Sequence, residues 1–467
     1  MTWMEELGEP EELSSEFLST PKAKSLKHLK NQILAIFSAD LCSFCIGAGL
    51  GWAAPSLPQL GESELGLSTA DVSVIGSALN IGGAIGALSG GLLIDYVGRK
   101  KTFLFITPLF LFGFLCVALG VNFYMLVMGR ILIGLASGLT TISAPVFAGE
   151  IADPKYRGLL ATMFSFMLVC GILTMYILGA FFQWRTVTFA CLLFPISGFI
   201  ATIIFVPESP VYLARQNDLK KAKKNYFFLR GHLFGFEDIA KDQDSNIPSR
   251  IKLRYFFNKR VFKPVSICLA LMFFQQACGV NGIFYNLKII FDISGGNIPS
   301  SLQVIIVGLV QLSTTIISSI IIDHIGRKTL LIISGIAMGA STTCLGVYFH
   351  YSIHSPERIH NLYWLPLASL IVFSAFFYVG FGPVTWTVLG EILPLEVKGA
   401  TSAIVTSFGW FLAFLVTMTY GIIVETFNQS IIFLIYGSFS FLGALYVLIC
   451  IPETTGKTLS EIQKLFS

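Results

Sequence analysis

The stretch Asp95-Tyr96-Val97-Gly98-Arg99-Lys100 lies between two long apolar runs, and it returns, with changes, as Asp323-His324-Ile325-Gly326-Arg327-Lys328. Two further motifs recur in the same order. Glu150 followed by Arg157-Gly158 has a counterpart in Glu391 followed by Lys398-Gly399. Pro207-Glu208-Ser209-Pro210 has one in Pro452-Glu453-Thr454. The offsets are all roughly 240 residues, so the second half of the chain repeats the first. One short match would carry little weight; three in register carry the argument.

The runs between these motifs set the class. Of 467 residues, 54% are hydrophobic and only 12% charged, too little charge to cover a water-facing surface of this size. A hydrocarbon core of about 30 Å needs roughly 20 apolar residues per helical crossing. Such stretches occur at 31–57, 72–95, 102–121, 124–149, 158–182 and 186–206. They occur again at 262–290, 301–323, 329–350, 362–388, 400–424 and 430–451. The expected fold is an all-α membrane protein with twelve transmembrane helices in two pseudo-symmetric six-helix halves. The expected divisions are an N-terminal tail (1–30), a first half (31–206), a polar linker with short helices (207–260), a second half (261–451) and a C-terminal tail (452–467). Six-helix repeats of this kind place a binding site near the midplane, between the halves.

Positive charge gives the orientation. Arg99, Lys100, Lys101, Lys155, Arg157, Arg327, Lys328 and Lys398, with the Lys and Arg of the linker, all fall on one side. The positive-inside bias makes that side cytoplasmic, with both termini there. The net charge of +4 belongs to this bias and to anionic lipid, and implies no nucleic-acid partner. No cleavable leader is expected. The nine cysteines nearly all fall in apolar spans, where they serve as small packing residues, and the six histidines fall in loops or at span ends. No nucleophile–base arrangement, metal-ligand spacing or cofactor motif stands out, so neither an enzyme nor a cofactor is expected.

The repeated motifs, with several others, carry a family resemblance. Gly129-Arg130 with Gly134 and Gly138, Glu150…Arg157 and Pro207-Glu208-Ser209-Pro210 are similar to the signature of the sugar-porter branch of the major facilitator superfamily. So are Phe274-Gln275-Gln276…Gly279-Val280-Asn281, Gly380-Phe381-Gly382-Pro383…Trp386 and Pro452-Glu453-Thr454-Thr455-Gly456. The resemblance covers about 33 to 465. It looks closest to facilitative hexose transporters and, among them, to insect facilitated trehalose transporters, on Gly51-Trp52…Pro55-Ser56-Leu57-Pro58 and a short first external loop.

The amides of Gln275, Gln276 and Asn281 sit in an apolar span, where unpartnered polar groups are costly. They can bond a neighbouring helix or a ligand. Amides donate and accept, as sugar hydroxyls do. On a straight helix Gln276 and Asn281 would stand about 140° apart, but Gly279 and Gly282 are expected to unwind the helix there. The resemblance implies that these residues contact sugar and that Trp386 stacks on a pyranose ring. By the same resemblance Gln311, Trp410, Ser165 and Phe284 line the site and Tyr285 gates it. A second set, Asp95, Arg99, Arg130, Glu150, Arg157 and Glu208, and Asp323, Arg327, Glu391, Lys398 and Glu453, is expected to form a cytoplasmic latch of ion pairs that biases a two-state equilibrium.

The resemblance has gaps. Ser165, Tyr378, Gly409 and Ala413 stand where hexose carriers show amides or an acid, and Val211 stands where an Arg is usual. No acid follows Cys45 in the first span, which favours uniport over proton coupling. Asp40 lies nearer the cytoplasm, as a partner at the inner end of the bundle or as a proton site. The expected function is facilitative transport of a small sugar, trehalose or a hexose, across the plasma membrane by a monomer surrounded by lipid. The alternatives are a symporter using Asp40, a carrier of a non-sugar solute, or a non-transporting sensor.

Overall fold

The computed structural model describes residues 26–237, 259–296, 298–359, 361–393, 397–453 and 461. Among them twelve helices are long and apolar enough to cross a membrane, and no strand occurs. Spans one to six are His28–Gly61, Thr69–Val97, Arg99–Ala118, Phe123–Ile151, Arg157–Phe181 and Trp184–Phe205. Spans seven to twelve are Val261–Tyr285, Ser300–Ile322, Arg327–His354, Leu365–Ile392, Lys398–Thr426 and Gln429–Cys450. Between the sets, Pro210–Arg215 and Leu219–Arg230 form two short helices of the linker. Side chains exposed on the outside of the bundle, such as Leu193, Ile320 and Ile449, are apolar. Such a surface is a liability in water and an ordinary one in lipid.

The most extensive contacts between the halves are those of span two with span eleven and of span five with span eight. Within each half the spans abut at sharp turns. Gly98 and Gly326 each sit at the joint where one span ends and the next begins, with φ of 95° and 97°. A side chain would be strained in that conformation, so the chain reverses on glycine at both places. The two Gly-Arg-Lys turns lie at the same end of the bundle, called here the motif end; the other is the far end.

The linker helices belong to the first half. His28, Asn31 and Gln32, at the start of span one, bond the carbonyls of Phe228 and Leu229 at 2.9–3.1 Å. These are last-turn carbonyls of Leu219–Arg230, which have no partner within their own helix. Burial pushes the His232 imidazole below its ordinary range, against the opposing pull of Asp153, 4.0 Å away.

Candidate site between the halves and its two ends

Span seven does not run straight. Its regular helix stops at Ala277, Gly279 takes a φ of 83°, and a new turn runs Val280–Tyr285. A Cβ on Gly279 would collide with the ring of Tyr436, so the position requires glycine twice over. The break turns Asn281 back toward the preceding segment, and its Nδ2 donates to Gln276 Oε1 at 2.7 Å. Two amides that a straight helix would separate thus form one polar pair.

Span ten is broken as well. Phe377–Phe381 forms a turn of π-helix ahead of Gly382-Pro383. Pro383 has no N–H to give the carbonyl of Val379, and Ser318 Oγ of span eight supplies a donor at 3.1 Å. Ser334 Oγ donates to Phe376 O at 2.7 Å. Gln275 Nε2 donates to Phe381 O at 2.8 Å and to Gly382 O at 3.2 Å. Gln275 is 2% exposed, and its amide N–H groups serve the backbone of the break.

Trp386 lies four residues beyond Gly382, on the motif-end side of the break, and is 39% exposed. Phe284 stacks on Tyr378 with ring centroids 6.1 Å apart, so an aromatic wall fills the place where an acid was expected by analogy. Trp410 of span eleven packs on the first half at Gly83 of span two. Ser165 is half-buried, and Gln311 is fully buried.

At the motif end the charged residues form one network in each half, built alike. Arg99 reaches Glu150 with Nε at 2.8 Å and bonds Ile94 O, and Asp95 lies 3.6 Å from it. Glu208 accepts the backbone N–H of Arg99 at 2.7 Å and that of Lys100 at 3.3 Å. In the second half Arg327 meets Glu391 at 3.1 Å and bonds Ile322 O. Glu453 accepts from the backbone N–H of Arg327 at 3.1 Å and of Lys328 at 3.3 Å. Both glutamates therefore put a negative charge on the unsatisfied N–H groups of a helix start. Lys398 Nζ donates to Gly390 O at 2.6 Å. Each of these pairs stays within one half. Arg157 is exposed and makes no ion pair among the described residues. The side chain of Asp323 lies outside the described residues. Where Arg was expected after Pro-Glu-Ser-Pro, the neighbouring Tyr212 ring lies 5.2 Å from the Arg99 guanidinium.

Arg130 does not belong to this latch. It stands in the second turn of span four, about 30 Å along the helix from Glu150 at 1.5 Å per residue, at the far end. It is 1% exposed and bonds Gly49 O at 2.6 Å, Ile75 O at 3.2 Å and Gly76 O at 3.2 Å. Its guanidinium lies 5.0 Å from the Trp52 ring, so an aromatic face and three carbonyls replace the expected carboxylate. At this end Tyr285 OH donates to Asn80 Oδ1 at 3.1 Å, and Asn80 Nδ2 donates to Thr417 Oγ1 at 3.0 Å. These bonds join the two halves in the far-end part of spans two and eleven. Asn80 went unnoticed in the sequence, although a lone amide in an apolar, glycine-rich span is the same signal that singled out Gln276.

Asp40 is 2% exposed, within span one, and accepts from Ser43 Oγ at 2.9 Å, while its Oδ2 is unpartnered. No basic partner meets it among the described residues.

Comparison with known proteins agrees with this architecture. The model of the sugar (and other) transporter family matches residues 16–466. A facilitated trehalose transporter Tret1-2 homolog of Drosophila simulans is 35% identical over 445 residues, covering 93% of this chain and 90% of that protein. A facilitated trehalose transporter Tret1 of Apis mellifera ligustica is 34% identical over 448 residues, with 93% and 88% covered. Among solved structures, the proton:xylose symporter XylE bound to 6-bromo-6-deoxy-D-glucose superposes with a TM-score of 0.78 at 24% identity, covering 94% of this chain and 100% of that one. XylE from E. coli in an inward-open conformation gives 0.78 at 23%, covering 92% and 99%. At that identity the likeness is one of fold, the major facilitator fold.

Proposed function

The chain belongs to the sugar (and other) transporter family, and from that premise we propose that it is a facilitative carrier of a small sugar, trehalose or a hexose, working by alternating access. The observation that carries this reading is the Gln276–Asn281 pair, set by the break at Gly279. Its remaining donors and acceptors suit hydroxyls, and Trp386 offers an apolar face of the kind a pyranose ring stacks on. The relatives named as facilitated trehalose transporters support the same substrate class.

The positive-inside bias makes the motif end cytoplasmic. On that orientation the far end is external, and this conformation is closed to the outside. Sugar then enters or leaves past Trp386 on the cytoplasmic side, while the two charged networks hold the inner helix ends of each half as rigid units. Opening the outside requires the Tyr285–Asn80–Thr417 bonds to break and the two networks to approach each other. The carrier acts as a monomer in the plasma membrane, since one chain supplies both halves of the site.

Uptake of radiolabelled trehalose and glucose into proteoliposomes, with and without a pH gradient, tests this. Saturable uptake of one sugar, lost in Gln276→Ala and indifferent to the gradient, is the expected result. Uptake driven by an acid exterior and abolished by Asp40→Asn would instead mean proton symport. Folded protein that moves neither sugar would refute the sugar assignment.

A further inference from the structure

The far end of span nine carries two side chains that the site described above leaves unused. His350 and His354 stand four residues apart in its last turns, so they share one face of the helix. Both are exposed, and their rings stack with centroids 4.4 Å apart and planes 26° from parallel. As letters the two are only four apart; the helix is what brings the rings together. Nδ1 of His354 lies 2.9 Å from the carbonyl oxygen of His350. A carbonyl only accepts, so Nδ1 carries the proton there, and Nε2 of the neutral ring keeps its lone pair. An imidazole N–H held by a backbone carbonyl is the outer contact that orients a metal-bound histidine. The ring nitrogens of His350 make no hydrogen bond among the described residues. Being exposed, neither ring fills space in the core.

We propose that His350 and His354 form a binding site for one divalent transition-metal ion of the zinc, copper or nickel kind. Two histidines at this spacing on one helix face reach a single ion. Imidazole nitrogen suits these metals, whereas magnesium and calcium require oxygen ligands. Among the described residues no third histidine, cysteine or carboxylate joins the pair, so water completes the coordination sphere. The site is therefore open and its ion exchangeable, with copper(II) held more tightly than nickel or zinc. On the orientation proposed above, the ion reaches it from the external solution.

The test uses the full chain in detergent, without a polyhistidine tag, beside His350→Gln and His354→Gln. Both positions are exposed, so neither change disturbs packing. Zinc chloride is titrated by calorimetry, and copper(II) is read by electron paramagnetic resonance. The expected result is one zinc ion bound by wild type whose affinity falls at least about tenfold, or about 1.4 kcal/mol, in either variant. The copper spectrum should show coupling to two imidazole nitrogens in wild type and to one in each variant. Magnesium chloride should not compete for the pair. Equal zinc affinity in all three proteins, or a copper spectrum that neither substitution changes, would overturn the site. Binding is read without transport, so these outcomes leave the carrier reading untouched.

Discussion

The hydroxyl of Tyr285 donates to Asn80 at 3.1 Å, tying span seven of one half to span two of the other. Asn80 also donates to Thr417 of span eleven, so a single amide is held by two spans of the opposite half. Removing both bonds with the near-isosteric Asn80→Leu forfeits about 1 kcal/mol for each. That shifts the balance toward the state open at the far end by roughly 10- to 30-fold. Spin labels at Glu64 and Ser301 should then report a longer, newly populated distance. An unchanged distance distribution would deny these bonds a gating role.

Arg130 satisfies three backbone carbonyls and lies against Trp52, a geometry that a lysine point charge does not reproduce. Arg130→Lys should reduce transport at least about tenfold, the equivalent of one charged hydrogen bond. Because Arg130 and Glu150 are far apart, a double variant with Glu150→Gln should be additive to within about 0.5 kcal/mol in thermal stability. Strong non-additivity would return Arg130 to the motif-end network.

Glu208 and Glu453 do the same work at related helix starts. Glu208→Gln and Glu453→Gln keep shape and remove charge, and each should cost about 0.5–2 kcal/mol. Differential scanning in detergent compares them. One variant silent and the other severe would mean that the repeat in sequence is not a repeat in energetics.

Gln275 and Gln276 are neighbours with different tasks. Gln276→Ala should abolish saturable uptake of the sugar with little loss of melting temperature. Gln275→Ala removes one donor from the carbonyls of Phe381 and Gly382, of which Phe381 O keeps Thr385 Oγ1 at 2.7 Å, and should lower stability by about 0.5–1.5 kcal/mol. Sugar binding titrated beside thermal unfolding separates the two, and equal effects on both readouts would fail this assignment.

His232 is held neutral by burial, so its folded pKa lies below the unfolded one. The unfolded form then binds more protons, and stability of the linker docking falls as pH drops through the unfolded value near 6.5. Hydrogen exchange across Leu219–Arg230 should speed up between about pH 7.5 and 5.5 relative to a pH-corrected reference. His232→Phe should lose that dependence; equal acceleration in both proteins would rule out the histidine.

The sequence by itself settled the membrane class, the twelve spans and the twofold repeat, because these depend on composition, run length and register. Each is a local or periodic property that survives without knowing which helix touches which. It also pointed to the break at Gly279, since only glycine tolerates that backbone. Tertiary structure decided which polar residues were free. Gln275 and Gln276 are indistinguishable as letters, and only the arrival of the span-ten break against one of them commits it to backbone carbonyls. Arg130 looked like a latch residue until its depth along span four placed it at the other end, where carbonyls and an indole stand in for a carboxylate. Asn80 stood in the sequence as a lone amide in an apolar span, but its partners Tyr285 and Thr417 became visible only when the halves met, because a hydrogen bond between distant spans leaves no period or spacing in the chain.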